Sequence, residues 1–487
     1  MKNKVQLITY IDRLGKSGVS DLHNFLKSNL SDVFEGGMHL LPFYYPIDGA
    51  DAGYDPIDHS TTDQRIGTWS DINLLSQDFD IMADLIVNHI SAESKEFEDV
   101  KLNGKQSAYY DLFLTKQKVF PNGNAEGDIK KIYRPRPNLP FTEIEIGDGE
   151  IESFWTTFTS NQLDIDVRHE LGVAYLDKIL NTFEENGIKS IRLDAAGYAI
   201  KKPGTSCFMI PETFDFIDEF SKKAKAKGIK TLVEIHAYYK QQIEIAKQVD
   251  YVYDFALPPL VLHAIATGTA AKLKKWLDMS PRNCVTVLDT HDGIGIMDVA
   301  RQGDLPGLLE DDEVDFLVES IHEKSNDQSR LASGEGGSNL DIYQVNCSFY
   351  EALGKDDQDY LIARAIQFFS PGIPQVYYGG FLAAENDMEL MTETNVHRDI
   401  NRPYFSFEEI EEALDKQVVK RLIKLINFRN NHPSFEGDFS ILTPNDGELV
   451  VKWDDGSTWS QLLVNLKKKQ MSISFDNNGK EDFLLFD

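Results

Sequence analysis

The stretch LGVAYLDKILNTFEENGIKSIRLD, residues 171–194, decides how the chain is read. Val173, Leu176, Ile179, Leu180 and Phe183 recur at three- and four-residue spacing, so residues 171–185 predict a helix with one apolar stripe. Gly187 supplies the left-handed position that ends such a helix. Ser190–Asp194, SIRLD, then reads as a short strand. The next helix, Thr213–Lys227, carries Phe214, Ile217 and Phe220, stops at Gly228 and feeds a strand at Thr231–Ile235. A helix that runs straight into a strand, twice in succession, is the signature of repeated βα units.

The alternation extends outward in both directions. Further strands are predicted at Val5–Tyr10, Met38–Phe43, Ile81–Asn88, Tyr251–Phe255, Val285–Asp289 and Pro374–Tyr378, which makes eight in all. Several are near-continuous apolar runs, as strands buried on both faces of a parallel sheet require. Eight such units favour an α/β fold of the (β/α)8 TIM-barrel class over an open, doubly wound sheet. The spacing is uneven in two places, which predicts subdomains inserted after strands three and seven. The barrel is assigned to residues 1–89, 169–293 and 355–434. Residues 90–168 form one insertion, with the Pro- and Arg-rich YRPRPNLPF and the acidic EIEIGDGEIE. Residues 294–354 form the other, with a helix at Val314–Glu323 and the Gly/Ser-rich LASGEGGSN, which reads as a mobile loop. A helix at Val418–Phe428 precedes residues 435–487, whose alternating segments LVVKW and SQLLVNL predict a small all-β domain.

Composition narrows the function classes. The formal net charge of −30 argues against nucleic acid and anionic membranes as partners. No run of eighteen apolar residues occurs, and the apolar part of MKNKVQLITYIDRLG is too short for a signal peptide, so a cytoplasmic location is expected. Cys207, Cys284 and Cys347 are odd in number and far apart, so they read as buried or idle thiols. No cofactor motif appears, and neither a cofactor nor a metal is expected.

In a (β/α)8 barrel, side chains at the C-terminal strand ends converge on one site. The third strand ends in Asp84-Leu-Ile-Val-Asn88-His89, the fourth in Arg192-Leu-Asp194, the fifth in Glu234-Ile-His236 and the seventh in Asp289-Thr-His291-Asp292. Gathered carboxylates at an apolar mouth are costly, and they serve either a metal or glycosyl transfer. Glycosyl transfer needs a nucleophilic carboxylate, a protonated carboxyl as acid, and charge that stabilises an oxocarbenium-like transition state. Spacings such as HxH or HExxH are absent, which favours sugar chemistry. Arg192, two residues before Asp194, projects to the same side and would hold Asp194 ionised.

DLIVNH, SIRLDAAGY, TLVEIHAYY and VLDTHD resemble, in order and spacing, the four signature regions of the alpha-amylase superfamily. Within it, GADAGYDPIDH, YRPRPNLPF, GTSCFM, YDFALPP, LDTHDGIGI, NLDIYQVN and RDINR resemble the sucrose phosphorylases. These enzymes turn sucrose and phosphate into alpha-glucose 1-phosphate and fructose with retention. The resemblance implies Asp194 as nucleophile, Glu234 as general acid and then base, and Asp292 as the stabiliser of the transition state. It implies that Asp51 and Arg402 pair and grip glucose, that His89 and His291 hydrogen-bond the ring, and that Arg192 supports Asp194. Tyr54 and Phe158 would line the sugar pocket, with Gln162 on the acceptor side and His236 also in contact with substrate. Arg136, Asp341, Tyr343 and Gln344 would serve fructose and phosphate, and Arg136 would supply the cation that phosphate needs. Tyr54 and Pro403 depart from the family pattern, which has Phe and His there. Related barrels act on glucosylglycerol, glucosylglycerate or sucrose 6′-phosphate, and amylase-type hydrolases use the same carboxylates with water. Some members of the family are dimers, so the resemblance implies a homodimer. Asn88 has two readings, a calcium ligand as in amylases or a structural residue, and no acidic partner in the insertion supports the first.

Overall fold

The computed structural model describes residues 1–49, 51–123, 126–134, 139–147, 149–333, 344–442 and 445–486. Eight parallel strands close into a barrel: β1 (Gln6–Thr9), β2 (Met38–Leu40), β3 (Ile81–Ile86), β4 (Ser190–Asp194), β5 (Lys230–Val233), β6 (Tyr251–Asp254), β7 (Cys284–Thr286) and β8 (Ile373–Tyr377). Neighbours in the barrel follow chain order, and β8 closes against β1 through Gln6↔Gln375 to Ile8↔Tyr377. All eight predicted strands are present. Several stop short of their expected C-terminal ends. β7 ends at Thr286 rather than Asp289, because the chain leaves the ladder there to bend over the barrel mouth.

The helices form for the reasons the sequence offers. Glu170–Glu185 buries Leu176, Ile179, Leu180 and Phe183 on one stripe, and Gly187 follows at φ +80°. Pro211–Ala226 buries Ile217, Phe220 and Ala224 and has proline in its first turn, where its missing N–H costs nothing. Asp311–Lys324 carries a capping box between Glu310 and Glu313.

The first insertion is tied to the barrel mouth by a two-stranded antiparallel ladder that pairs His89 with Asp164 and Ser91 with Gln162. EIEIGDGEIE contributes to an antiparallel hairpin, Phe141–Ile146 with Glu150–Trp155. Its side chains are largely exposed, but Glu152 is buried and accepts a hydrogen bond from Tyr110 at 2.8 Å. After β7, Ile294–Gly295 pairs with Gln344–Val345, which brings Gln344 over the mouth. The predicted helix at Val314–Glu323 lies within Asp311–Lys324, and short helices follow at Gln328–Ser333 and Phe349–Ala352; Leu331–Ser333 of LASGEGGSN are helical rather than loop, and the rest of that segment lies outside the described residues.

The C-terminal sheet has five antiparallel strands in chain order, from Asp438–Ile441 to Glu481–Phe483. It seats Leu449, Val451, Trp453, Leu462, Val464 and Ile473 inward, and the Trp453 indole donates to the Phe369 carbonyl at 2.8 Å. Cys207, Cys284 and Cys347 are all buried free thiols. Among the described residues no helix is long and apolar enough to cross a membrane.

Candidate active site

β3 and β4 run in register, with Asp84 opposite Arg192. Arg192 is therefore placed to bridge two carboxylates. Its Nη1 donates to Asp84 Oδ1 at 2.5 Å and to Asp194 Oδ1 at 2.7 Å, while its Nη2 stands 3.9 Å from Glu234 Oε1. Asp84 is fully buried, takes a second contact from His39 Nε2 at 2.9 Å, and is held near 2 because Arg192 and His39 outweigh the burial penalty. Asp84 is thus the fixed counter-charge that orients Arg192. Ala195, directly after Asp194, sits at φ +54°, and its N–H donates to Glu234 Oε2 at 3.3 Å, so the end of β4 also locates Glu234. Burial pushes the Asp194 carboxyl up, Glu234 and Asp84 add to the push, and Arg192 opposes it.

Asp292 lies on the opposite side among cations. Its Oδ1 is 2.8 Å from Arg398 Nη1 and 3.8 Å from Arg402 Nη2, and its Oδ2 is 3.4 Å from His291 Nε2. Burial works against its charge, but Arg398 and Arg402 hold the carboxyl far below the usual range. Glu234, His236 and Asp292 converge so closely that one side-chain atom of each lies within 4.8 Å of the other two.

The walls follow. The Tyr54 ring stacks on His291 with centroids 4.9 Å apart, and Tyr54 Oη accepts from Arg192 Nη1 at 3.3 Å. The Tyr54 hydroxyl is thus used by the barrel arginine. His89 donates from Nε2 to the Tyr54 carbonyl at 2.9 Å, its other ring nitrogen faces the Asn88 amide at 3.4 Å, and its ring meets Phe158 edge-on at 5.4 Å. Burial lowers the His89 pKa and brings that of His291 down to about 3, so the His291 ring is neutral. Gln162 donates to the Tyr54 carbonyl at 3.3 Å and to Asp51 Oδ2 at 3.5 Å. Arg402 Nε donates to the His291 carbonyl at 2.9 Å. Its Nη1 and Nη2 are buried without a hydrogen-bond partner among the described residues, as is Nδ1 of His291. Buried donors left empty in this way are matched to a ligand's oxygens. Asp51 raises the Arg402 pKa through its charge, as does Asp292, so the expected Asp51–Arg402 association is electrostatic and Asp292 shares it. Gln344 lies against His236, Nε2 to Nε2, at 3.1 Å.

Arg136, Asp341 and Tyr343 lie outside the described residues. Asp289 does not join the site. It pairs with the fully buried Arg364 at 2.7 Å, on the side of the barrel facing the helices. Asn88 is structural: its Oδ1 accepts from the Lys201 ammonium at 2.7 Å, and that ammonium also meets Asp164 Oδ2 at 2.5 Å. A lysine therefore fills the place among these oxygens that a bound cation would take. Sequence reasoning missed Arg398 and Asp298. Arg398 opens the RDINR segment and could have been found four residues ahead of Arg402 on one turn of 3-10 helix. Asp298, whose Oδ2 lies 2.8 Å from His236 Nδ1, carried no local signal, because it stands in the loop after β7 rather than at a strand end.

Carboxylates from three strand ends, a guanidinium on one of them and a stacked aromatic wall are the parts that transfer of a glycosyl group requires. Residues 30–292 match the alpha amylase catalytic domain, and the chain belongs to the alpha-amylase family. Two relatives described as sucrose phosphorylases match nearly end to end. That of Agrobacterium vitis is 54% identical over 97% of both chains. That of Bifidobacterium adolescentis is 49% identical over 96% of this chain and 93% of its own. The crystal structure of sucrose 6F-phosphate phosphorylase from Thermoanaerobacter thermosaccharolyticum is 39% identical, with a TM-score of 0.91 over 99% of this chain and 97% of that one.

Proposed function

We propose that the chain is a sucrose phosphorylase, a retaining glucosyl transferase that makes alpha-D-glucose 1-phosphate and D-fructose from sucrose and inorganic phosphate. The observation that carries this reading is the identity of about half of all residues with two sucrose phosphorylases along almost the whole chain.

In the first step an Asp194 oxygen attacks the anomeric carbon, the bond from that carbon to the fructosyl oxygen breaks, and Glu234 gives its proton to the departing oxygen. Arg192, at 2.7 Å, supports Asp194 as the nucleophile. In the second step a phosphate oxygen attacks the same carbon, Asp194 leaves as carboxylate, and the proton of the attacking phosphate hydroxyl returns to Glu234. Asp292, kept ionised by Arg398 and Arg402, stabilises positive charge on the ring. The empty Arg402 donors, Asp51, His89 and His291 serve the glucose hydroxyls, and Tyr54 and Phe158 form the sugar wall. Gln162, His236 and Gln344 serve the acceptor side, with Arg136, Asp341 and Tyr343 from flanking loops. The barrel, two insertions and the terminal sheet act as separate domains with the boundaries given above, in a cytoplasmic homodimer. Three free buried thiols suit a reducing compartment.

The test is incubation with sucrose, with and without phosphate, assayed for glucose 1-phosphate, fructose and free glucose. Phosphate-dependent glucose 1-phosphate with equimolar fructose supports the reading. Free glucose at the same rate with or without phosphate replaces it with a hydrolase. No turnover of sucrose, with turnover of glucosylglycerol or sucrose 6′-phosphate, replaces the substrate.

A further inference from the structure

His236 stands two residues beyond Glu234, and its Nε2 lies 3.8 Å from Glu234 Oε1. Among the described residues, three contacts lock the ring. Its Nδ1 is 2.8 Å from Asp298 Oδ2. Phe255 stacks on its face with centroids 3.9 Å apart and planes 13° off parallel. Gln344 meets Nε2 at 3.1 Å. Asp298 is itself immobile. It is fully buried, and its Oδ1 accepts from the Ala237 N–H at 3.2 Å and from Gln242 Nε2 at 2.7 Å. The backbone makes room for the pair at Gly295, where an added Cβ would lie 2.2 Å from Asp298 Oδ2 and 3.2 Å from His236 Nδ1. Gly295 is paired in register with Gln344, so one short ladder carries both the gap for Asp298 and the amide on the other side of the ring.

We propose that Asp298 is a positioning residue for the phosphate half of the reaction, holding His236 so that its Nε2 edge meets the incoming anion beside Glu234. This rests on the phosphorylase reading above. In the glucosyl-enzyme Asp194 is a neutral ester, but Glu234, which has given up its proton, and Asp292 still place negative charge at the mouth, which repels phosphate and not water. The fifth strand end itself supplies a ring that can carry positive charge. Burial disfavours charge on His236, but Asp298, Glu234 and Asp292 outweigh it and raise the ring's pKa. With Nδ1–H committed to Asp298, only Nε2 addresses the site. A neutral ring accepts from the Gln344 amide there. A protonated ring donates, and Gln344 turns its carboxamide by half a revolution to present oxygen. The pair therefore favours phosphate over water as the acceptor without touching the sugar.

Two variants test this, Asp298→Asn, which keeps the shape and loses the charge, and Gly295→Ala, which pushes on the pair from outside. The glucose 1-phosphate to glucose ratio is measured from sucrose over a series of phosphate concentrations. The expected result in both variants is a rise of at least about tenfold in KM for phosphate, with transfer to water falling by far less. In ¹⁵N-histidine spectra His236 is expected to lose its second proton at lower pH in Asp298→Asn than in wild type. Equal losses toward both acceptors, or an unchanged His236 titration, would overturn the proposal. Wild-type protein that fails to cleave sucrose overturns the phosphorylase reading instead, and the imidazole titration then decides the role of Asp298 by itself.

Discussion

Arg192 reaches Asp194 with the same Nη1 nitrogen that holds Asp84, at 2.7 Å and 2.5 Å. One guanidinium thus serves both a fully buried carboxylate and the predicted nucleophile. Replacement Arg192→Met leaves both charges without their cation. Breaking a buried ion pair by removing one partner costs about 3–5 kcal/mol, to be read in urea unfolding. Loss of a cation raises a carboxyl's pKa, so the acid limb of the rate profile is expected to move to higher pH. An unmoved acid limb in folded variant protein would mean that Arg192 does not oppose the burial-driven rise of the Asp194 pKa.

Glu234 is separated by function in a second variant. Glu234→Gln keeps the acceptor for the Ala195 N–H, which Glu234 Oε2 receives at 3.3 Å, but cannot give a proton. Turnover of sucrose is expected to fall by about 10²–10⁴, the usual contribution of general acid catalysis. With alpha-glucosyl fluoride, whose leaving group needs no proton, formation of the glucosyl-enzyme should be largely retained. Equal losses on both donors would deny Glu234 the role of acid.

The eight strands and the three carboxylates were legible because parallel-barrel strands are short, apolar and regularly spaced, and because their C-terminal ends point to one place. Asp298 was not legible. Its effect depends on Gly295 leaving a gap and on a loop folding back over β5, and neither is a periodic pattern. Asp289 ends the predicted seventh strand, yet β7 stops three residues earlier and Asp289 pairs with Arg364. The contact of the Tyr54 hydroxyl with Arg192 at 3.3 Å needed coordinates.

Lys201 offers a test of the tie between insertion and barrel. Its ammonium lies 2.5 Å from Asp164 Oδ2 and 2.7 Å from Asn88 Oδ1, with its own side chain 1% exposed and that of Asp164 0%. Lys201→Met is expected to destabilise the protein by about 3–5 kcal/mol, because Asp164 keeps a buried charge with no cation. Asp164 pairs with His89 across the ladder, so KM for sucrose should rise in the same variant. A loss of stability with unchanged KM would uncouple the ladder from the sugar pocket.

Acid sensitivity follows from two neutral buried rings. Burial lowers His59 to about 4 and His291 to about 3 from an ordinary value of 6.5. Below pH 6.5 the unfolded chain binds protons that the folded chain refuses, so each ring lowers stability as pH falls, by up to about 1.4 kcal/mol per pH unit. Asp254 works in the opposite sense. Burial raises it to about 7, so the folded chain keeps a proton that the unfolded chain has released above 3.8, and that contribution fades as pH rises. The raw curve therefore mixes signs, and the informative measurement is a difference. His59→Gln cannot be protonated, and its amide can still donate to the Asp84 carbonyl, which lies 3.3 Å from His59 Nε2. In urea unfolding at pH 7 and pH 5, the wild type is expected to lose stability relative to His59→Gln at the lower pH, by about 1–2 kcal/mol. A constant difference between the two proteins would mean that His59 takes up its proton inside the folded barrel.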